Sequence, residues 1–315
     1  MSESRLSTAW SRSLGLSLPV VNAPMGGVAG GRFAAAVTRA GGLGMVGMGG
    51  AGSVAALARE LAHLDGVPGP FGIGLVDWVI RKEPELLPAA IAAGPALISV
   101  SFGTDLSWVA ALHEAGILAA TQVFSVEDAH RAQDAGVDVL VARGLEGGGH
   151  GAVEVPTLPL LEAIVADAPV PVLAAGGIAT SRDLAVALAA GASGAWLGTC
   201  LAACTESLLS EPERRAMLAA QAQDAVVTRV FDVAKGLPWP THFPARLLRN
   251  TFTERWSEHT DDLPEQARTE LRAAVEAGDH DILPVYAGTG IGAVTEIRAV
   301  AEVLAELCSG AANLL

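Results

Sequence analysis

The chain is 315 residues long, 51% hydrophobic, and carries a formal net charge of −14. That size and apolar content allow a large buried core, arranged either as two ordinary domains or as one α/β barrel with an insertion. The acidic balance argues against nucleic acid as a partner, since phosphate binding needs a basic surface, and otherwise reads as solubility.

The start, MSESRLSTAWSRSLGLSLPV, has no apolar run of signal-peptide length, and no later stretch reaches the roughly 18 apolar residues of a membrane span. A soluble, cytoplasmic protein without a membrane partner is the expectation. Eight short apolar runs then follow in order: 19–24, 42–47, 71–76, 96–103, 117–123, 137–144, 171–178 and 194–199. They lack apolar/polar alternation, which suits parallel strands covered on both faces. The Ala/Leu-rich stretches between them fit crossover helices. VEDAHRAQDAG (126–136) and SRDLAVALAAG (181–191) each close on the glycine expected just past a helix end.

Eight βα units in about 200 residues predict a TIM (β/α)8 barrel rather than an open doubly wound sheet. The GTGIG stretch at 288–292 lacks the spacing of a dinucleotide fingerprint and reads as a turn leading into a helix. After Thr199 the character changes to polar amphipathic helix and then to a Pro- and aromatic-rich stretch holding Trp239, Phe243, Phe252 and Trp256. We read 205–280 as a helical insertion capping the barrel mouth, with 1–204 and 281–315 forming the barrel. An appendage packed on the outside is the alternative. Cys200, Cys204 and Cys308 form no CxxC pair or disulfide framework, so they read as buried small side chains and no metal site is expected.

Chemistry in this fold sits at the C-terminal ends of the strands. The residues there are Pro24 and Met25 after the first run, Gly74 in the third, Gln122 at the fifth, Gly144 to Gly151 after the sixth, Gly176 and Gly177 after the seventh, and Gly198 and Thr199 after the eighth. Almost none is charged. Such a mouth is poorly equipped for hydrolysis by paired carboxylates or a catalytic triad, and better suited to a flat cofactor with its own reactivity. Glycines in the last two loops let backbone N–H groups approach a phosphate, which makes FMN the leading ligand; glycine used only for close packing is the alternative. His150 ends a run of three glycines and is the side chain whose ordinary pKa permits proton transfer near neutrality. Among the other histidines only His242, in PWPTHFP, is placed to reach the same mouth.

NAPMGG (22–27), AGGLGMV (40–46), QVFSVEDAHRAQDAG (122–136), GLEGGGHG (144–151), the stretch from Pro171 to Thr199, ARLLRN (245–250) and LPVYAGTGIG (283–292) together resemble the nitronate monooxygenases, formerly called 2-nitropropane dioxygenases. The resemblance runs over nearly the whole chain. It implies an FMN-dependent barrel with a helical substrate domain, oxidising nitronates and some nitroalkanes with O2 to a carbonyl compound and nitrite. It implies His150 as catalytic base or hydrogen-bond donor to the nitro group. Pro24, Met25, Gln122, Gly148 and Gly149 then lie beside the flavin ring, and Gly176, Gly177, Gly198 and Thr199 cradle its phosphate. A small nitro compound and O2 are the implied partners, and a homodimer is left open.

Two departures stand out. The family often reads EAGGHRG, where this chain has Gly147 in place of the alanine and Gly151 in place of the arginine. The flavin-contacting asparagine of the third strand is replaced by Gly74. The rivals are an FMN-dependent NAD(P)H reductase acting on enoyl thioesters or quinones, and a flavin-binding module without activity. A dehydrogenase of the IMP type fits less well, because His150 stands in the loop where that chemistry needs a cysteine nucleophile.

Overall fold

The computed structural model describes residues 6–315; the first five residues of the expected 1–204 span lie outside it. Eight parallel strands form the barrel: β1 (Val20–Asn22), β2 (Gly44–Gly47), β3 (Phe71–Val76), β4 (Leu97–Ser101), β5 (Leu118–Val123), β6 (Val139–Arg143), β8 (Val172–Ala175) and β9 (Gly194–Leu197). Each falls within one of the eight apolar runs. Their order, β1-β9-β8-β6-β5-β4-β3-β2, follows the chain around the ring. β1 and β2 close the ring through one parallel bridge, Val21 to Leu43. Asn22 reinforces this thin seam: its buried amide donates to the Met45 carbonyl (2.8 Å) and accepts from the Met45 N–H (2.7 Å).

The strands read as unbroken apolar runs because both faces are covered. Leu43, Met45, Leu97, Val141 and Leu173 pack inside the barrel layer, and Val46, Ile73, Ile98, Leu140 and Ala174 belong to the larger cluster under the helices. Helices Val126–Asp134 and Ser181–Ala189 form where the sequence places them. Each starts on a hydroxyl N-cap, Ser125 and Thr180, and gives way at a glycine with positive φ, Gly136 and Gly191.

The 205–280 stretch is not helical throughout. Helices Glu211–Ala219, Val230–Lys235, Thr251–Trp256 and Glu265–Ala277 alternate with two strands, β10 (Ala225–Thr228) and β11 (Ala245–Leu248). These pair antiparallel, and β11 also pairs with β7 (Gly149–His150), which belongs to the loop after β6. Two four-residue strands leave too short a pattern to separate from the helical stretches around them. GTGIG forms most of a 3-10 turn, Thr289–Ala293, rather than a lead into a helix; the last helix starts only at Val300 and, over Val300–Ala312, packs against the helices Gly31–Arg39 and Ser181–Ala189 to complete the outer ring.

The three cysteines are buried, as expected. Burial pushes the thiols of Cys200 and Cys308 up to about 12 and raises that of Cys204 as well. Because the thiolate is the reactive form, the native protein should not react with a thiol reagent at pH 8, and three thiols should react on unfolding. A fast-reacting thiol in the folded protein would contradict this burial. Among the described residues no helix is long and apolar enough to cross a membrane.

Candidate functional site

The strand ends surround a cavity of about 540 Å³, a size suited to a cofactor with a small substrate. It brings together His150 with Pro24, Met25, Gly74, Gln122, Gly148, Gly149, Gly176, Gly177, Gly198 and Thr199. His242 is exposed and outside this cavity; its place in the aromatic stretch is taken by Trp239, three residues earlier.

One wall is backbone. Gly176 and Gly177 adopt φ of 114° and 71°, a region that favours glycine, and they approach Thr157, Glu146 and the 288–290 turn. Thr199 accepts a hydrogen bond on Oγ1 from the Gly288 N–H (2.9 Å), which joins the loop after β9 to that turn. Gly74 stands where a Cβ would come within 2.2 Å of the Pro24 ring. The asparagine implied by resemblance therefore has no room here while Pro24 keeps its place.

The loop carrying His150 is built around a buried cation. Arg143, at the end of β6 and 4% exposed, donates to the carbonyls of Gly147 (2.9 Å), Gly148 (3.0 Å) and Gly149 (3.1 Å), with longer bonds to those of Gly144 and Ala152. A Cβ on Gly151 would lie 2.4 Å from the guanidinium carbon, and one on Gly147 2.6 Å from Nε. The two glycine departures thus have one cause: a side chain at 151 and the Arg143 guanidinium compete for the same space.

The opposite wall carries the polar and aromatic groups. Nε2 of His150 lies 3.0 Å from Oδ2 of Asp232, with side chains only 11% and 7% exposed. The Trp239 indole stacks on the imidazole at 3.5 Å and 5°. Trp239 also meets Trp78 and Phe102 edge-on, and Phe102 contacts Phe124 and Phe243. Phe102 has a φ of 72°, a strained conformation for a bulky residue and the only such non-glycine among the described residues.

Lys235 lines the same wall, and its pKa is lowered by the surrounding protein, with the charge of Asp232 opposing. Tyr286 completes the wall; burial raises its pKa, and Asp232 adds to the rise. The Gln122 amide makes no hydrogen bond to a described residue and is free for a ligand.

Sequence reasoning misses Asp232, Lys235, Tyr286 and Arg143, and it places Trp239 only in an aromatic stretch, not beside His150. Four of them lie 82 or more positions from His150 or in apolar surroundings that give no local signal. Arg143 was legible in principle: a charge closing a buried strand must find acceptors, and the carbonyls of the following glycines are nearest.

The sequence matches the nitronate monooxygenase family over residues 8–84 and 85–310. It is 30% identical over 352 residues to the nitronate monooxygenase of Pseudomonas aeruginosa, covering 95% of this chain and 97% of that one. Among solved structures, FabK from Thermotoga maritima superposes with a TM-score of 0.86 at 28% identity, covering 98% and 96% of the two chains. The nitroalkane oxidase of Streptomyces ansochromogenes superposes at 0.82 with 26% identity, covering 96% and 98%.

Proposed function

The chain belongs to the nitronate monooxygenase family, and from that premise we propose that this oxidoreductase is an FMN-dependent enzyme oxidising nitronates and nitroalkanes with O2 to a carbonyl compound and nitrite. The observation that carries the reading is a single ionisable imidazole, His150, facing a cavity whose other wall is glycine backbone. The carbon beside a nitro group is acidic enough for one positioned base to deprotonate, so a single imidazole suffices.

The residues fit FMN on two counts. Gly176 and Gly177 present backbone without Cβ beside Thr199 and the 288–290 turn, where a phosphate can approach N–H groups. Pro24, Met25, Gly74, Gly148, Gly149, Gly198 and the free Gln122 amide leave room and one polar contact for a flat ring system. When bound, FMN supplies the electron-accepting chemistry and its reoxidation by O2. The protein's part is to bind and orient: the aromatic wall of Trp239 and Phe102, with Trp78 behind Trp239, excludes water from the substrate, and His150 takes or holds a proton. On this reading the inserted 205–280 segment, which contributes Lys235, Leu237 and Trp239 to the cavity, caps the substrate.

An anaerobic titration of the purified protein, following the flavin absorbance, tests this. Propyl nitronate alone is expected to bleach the bound flavin, and NADH or NADPH alone to leave it oxidised. Bleaching only by a nicotinamide would move the assignment to a reductase on the same scaffold. A colourless preparation that FMN does not reconstitute would sink the flavoenzyme reading.

A further inference from the structure

We propose that Asp232 sets the working state of His150: it accepts a hydrogen bond from Nε2–H, fixes the tautomer whose Nδ1 bears a lone pair, and so makes Nδ1 the atom that removes the substrate's α-proton. This deepens the proposed function and rests on it for the identity of the substrate, but not for the tautomer.

The assignment follows from what each group can offer. An ionised carboxylate only accepts hydrogen bonds, so at 3.0 Å the proton of this contact belongs to Nε2. Burial of both partners keeps water from competing for the contact. A neutral imidazole held this way has an acceptor at Nδ1 and no second N–H. The ring in this state is therefore a base, and it cannot donate a hydrogen bond to a nitro group from Nδ1.

The orientation is fixed by the same part of the chain. The Trp239 indole covers one face of the imidazole. The His150 backbone is paired with Ala245 of β11, and the Gly151 N–H donates to the Pro244 carbonyl (3.1 Å). Asp232, Trp239, Pro244 and Ala245 all lie within 205–280, so the barrel loop supplies the imidazole and the inserted segment aims it.

The proton step balances within these groups. The α C–H bond of a neutral nitroalkane breaks and its proton bonds to Nδ1. The electron pair stays on the substrate as the C=N bond of the nitronate, and the new imidazolium charge is paired with Asp232. Asp232 touches no substrate in this scheme and is a positioning residue.

Two readouts test it on the full-length protein. Nitrogen-15 NMR of histidine-labelled protein, with His150 identified by loss of its signals in His150→Gln, should give the Nε2-protonated signature in the wild type. In Asp232→Asn that preference should weaken, because the amide can donate to Nε2 as well as accept from it.

In steady-state assays, Asp232→Asn should lower kcat/KM for nitroethane by at least about ten-fold, up to the roughly 10⁴-fold that a whole general base is worth. The value for preformed ethyl nitronate, which needs no deprotonation, should change less than about three-fold. An Nδ1-protonated wild type, or equal losses on both substrates, would overturn the proposal. If the wild type oxidises neither substrate, the functional reading fails, and the NMR signature still decides the tautomer by itself.

Discussion

His150→Gln is expected to lower kcat/KM for a neutral nitroalkane by about 10²–10⁴-fold, the range a positioned general base contributes. Glutamine is the informative replacement because its amide keeps an N–H for Asp232 and has no basic lone pair comparable to imidazole. His150→Ala instead strips a buried carboxylate of its partner, which costs about 1–3 kcal/mol or more and mixes a stability defect with the chemical one. The flavin should remain bound in His150→Gln, since the groups proposed to hold it are glycine backbone, Pro24, Met25, Gln122 and Thr199. Activity on a preformed nitronate should fall far less than activity on the nitroalkane. Stopped-flow reduction of the flavin under anaerobic conditions measures both. Unchanged reduction by the nitroalkane would make His150 a bystander on the loop.

The barrel was legible because its signal is local and repeated. Each strand buries both faces, so eight uninterrupted apolar runs mark eight strands, and glycines after the helices mark where each crossover ends. The glycine-lined mouth was legible for the same reason: in this fold, position along a strand already states which end a residue occupies.

What escaped is tertiary. Asp232 sits in TRVFDVAK, an apolar helix start that looks like core, and only β11 pairing with β7 brings that helix over the loop after β6. The two residues of β7 carry no periodicity at all. Trp239 belongs to an aromatic cluster visible in the sequence, yet nothing in the local pattern says that it stacks on a histidine 89 positions earlier rather than on the barrel exterior. The Gly147 and Gly151 departures looked like losses from the family pattern and prove to be the space that Arg143 occupies.

That guanidinium is the basis of the second large effect. Arg143→Met should lower the unfolding free energy by about 2–4 kcal/mol. The best-placed nitrogen, Nη2, serves three carbonyls at 2.9–3.1 Å, and hydrogen bonds from a charged donor contribute about 1.5–3 kcal/mol each, part of which is offset by no longer burying the charge. Burial first, and then the like charge of Arg246, lower the Arg143 pKa to about 10, with Glu146 opposing.

The folded-state value therefore lies below the ordinary 12.5. Only between those two values does the unfolded chain bind more protons than the folded one, so only there does stability rise with pH on account of this group. From pH 5 to 9 Arg143 is a cation in both states, and the deficit of Arg143→Met should be the same at either end of that range. Arg143→Lys should recover part of it, since an ammonium carries the charge but lacks the planar fork that reaches several carbonyls.

Function should suffer beyond the stability loss. Gly147, Gly148 and Gly149 turn their carbonyls onto the guanidinium, and in trans peptides the N–H groups of the same planes point the opposite way. Without the cation that arrangement relaxes, and with it the placement of His150 against Asp232. Urea unfolding at pH 6 and pH 9, paired with the His150 NMR signature below the transition, separates the two consequences. An unchanged urea midpoint with the Nε2-protonated state intact would show that the glycine loop holds its shape without Arg143.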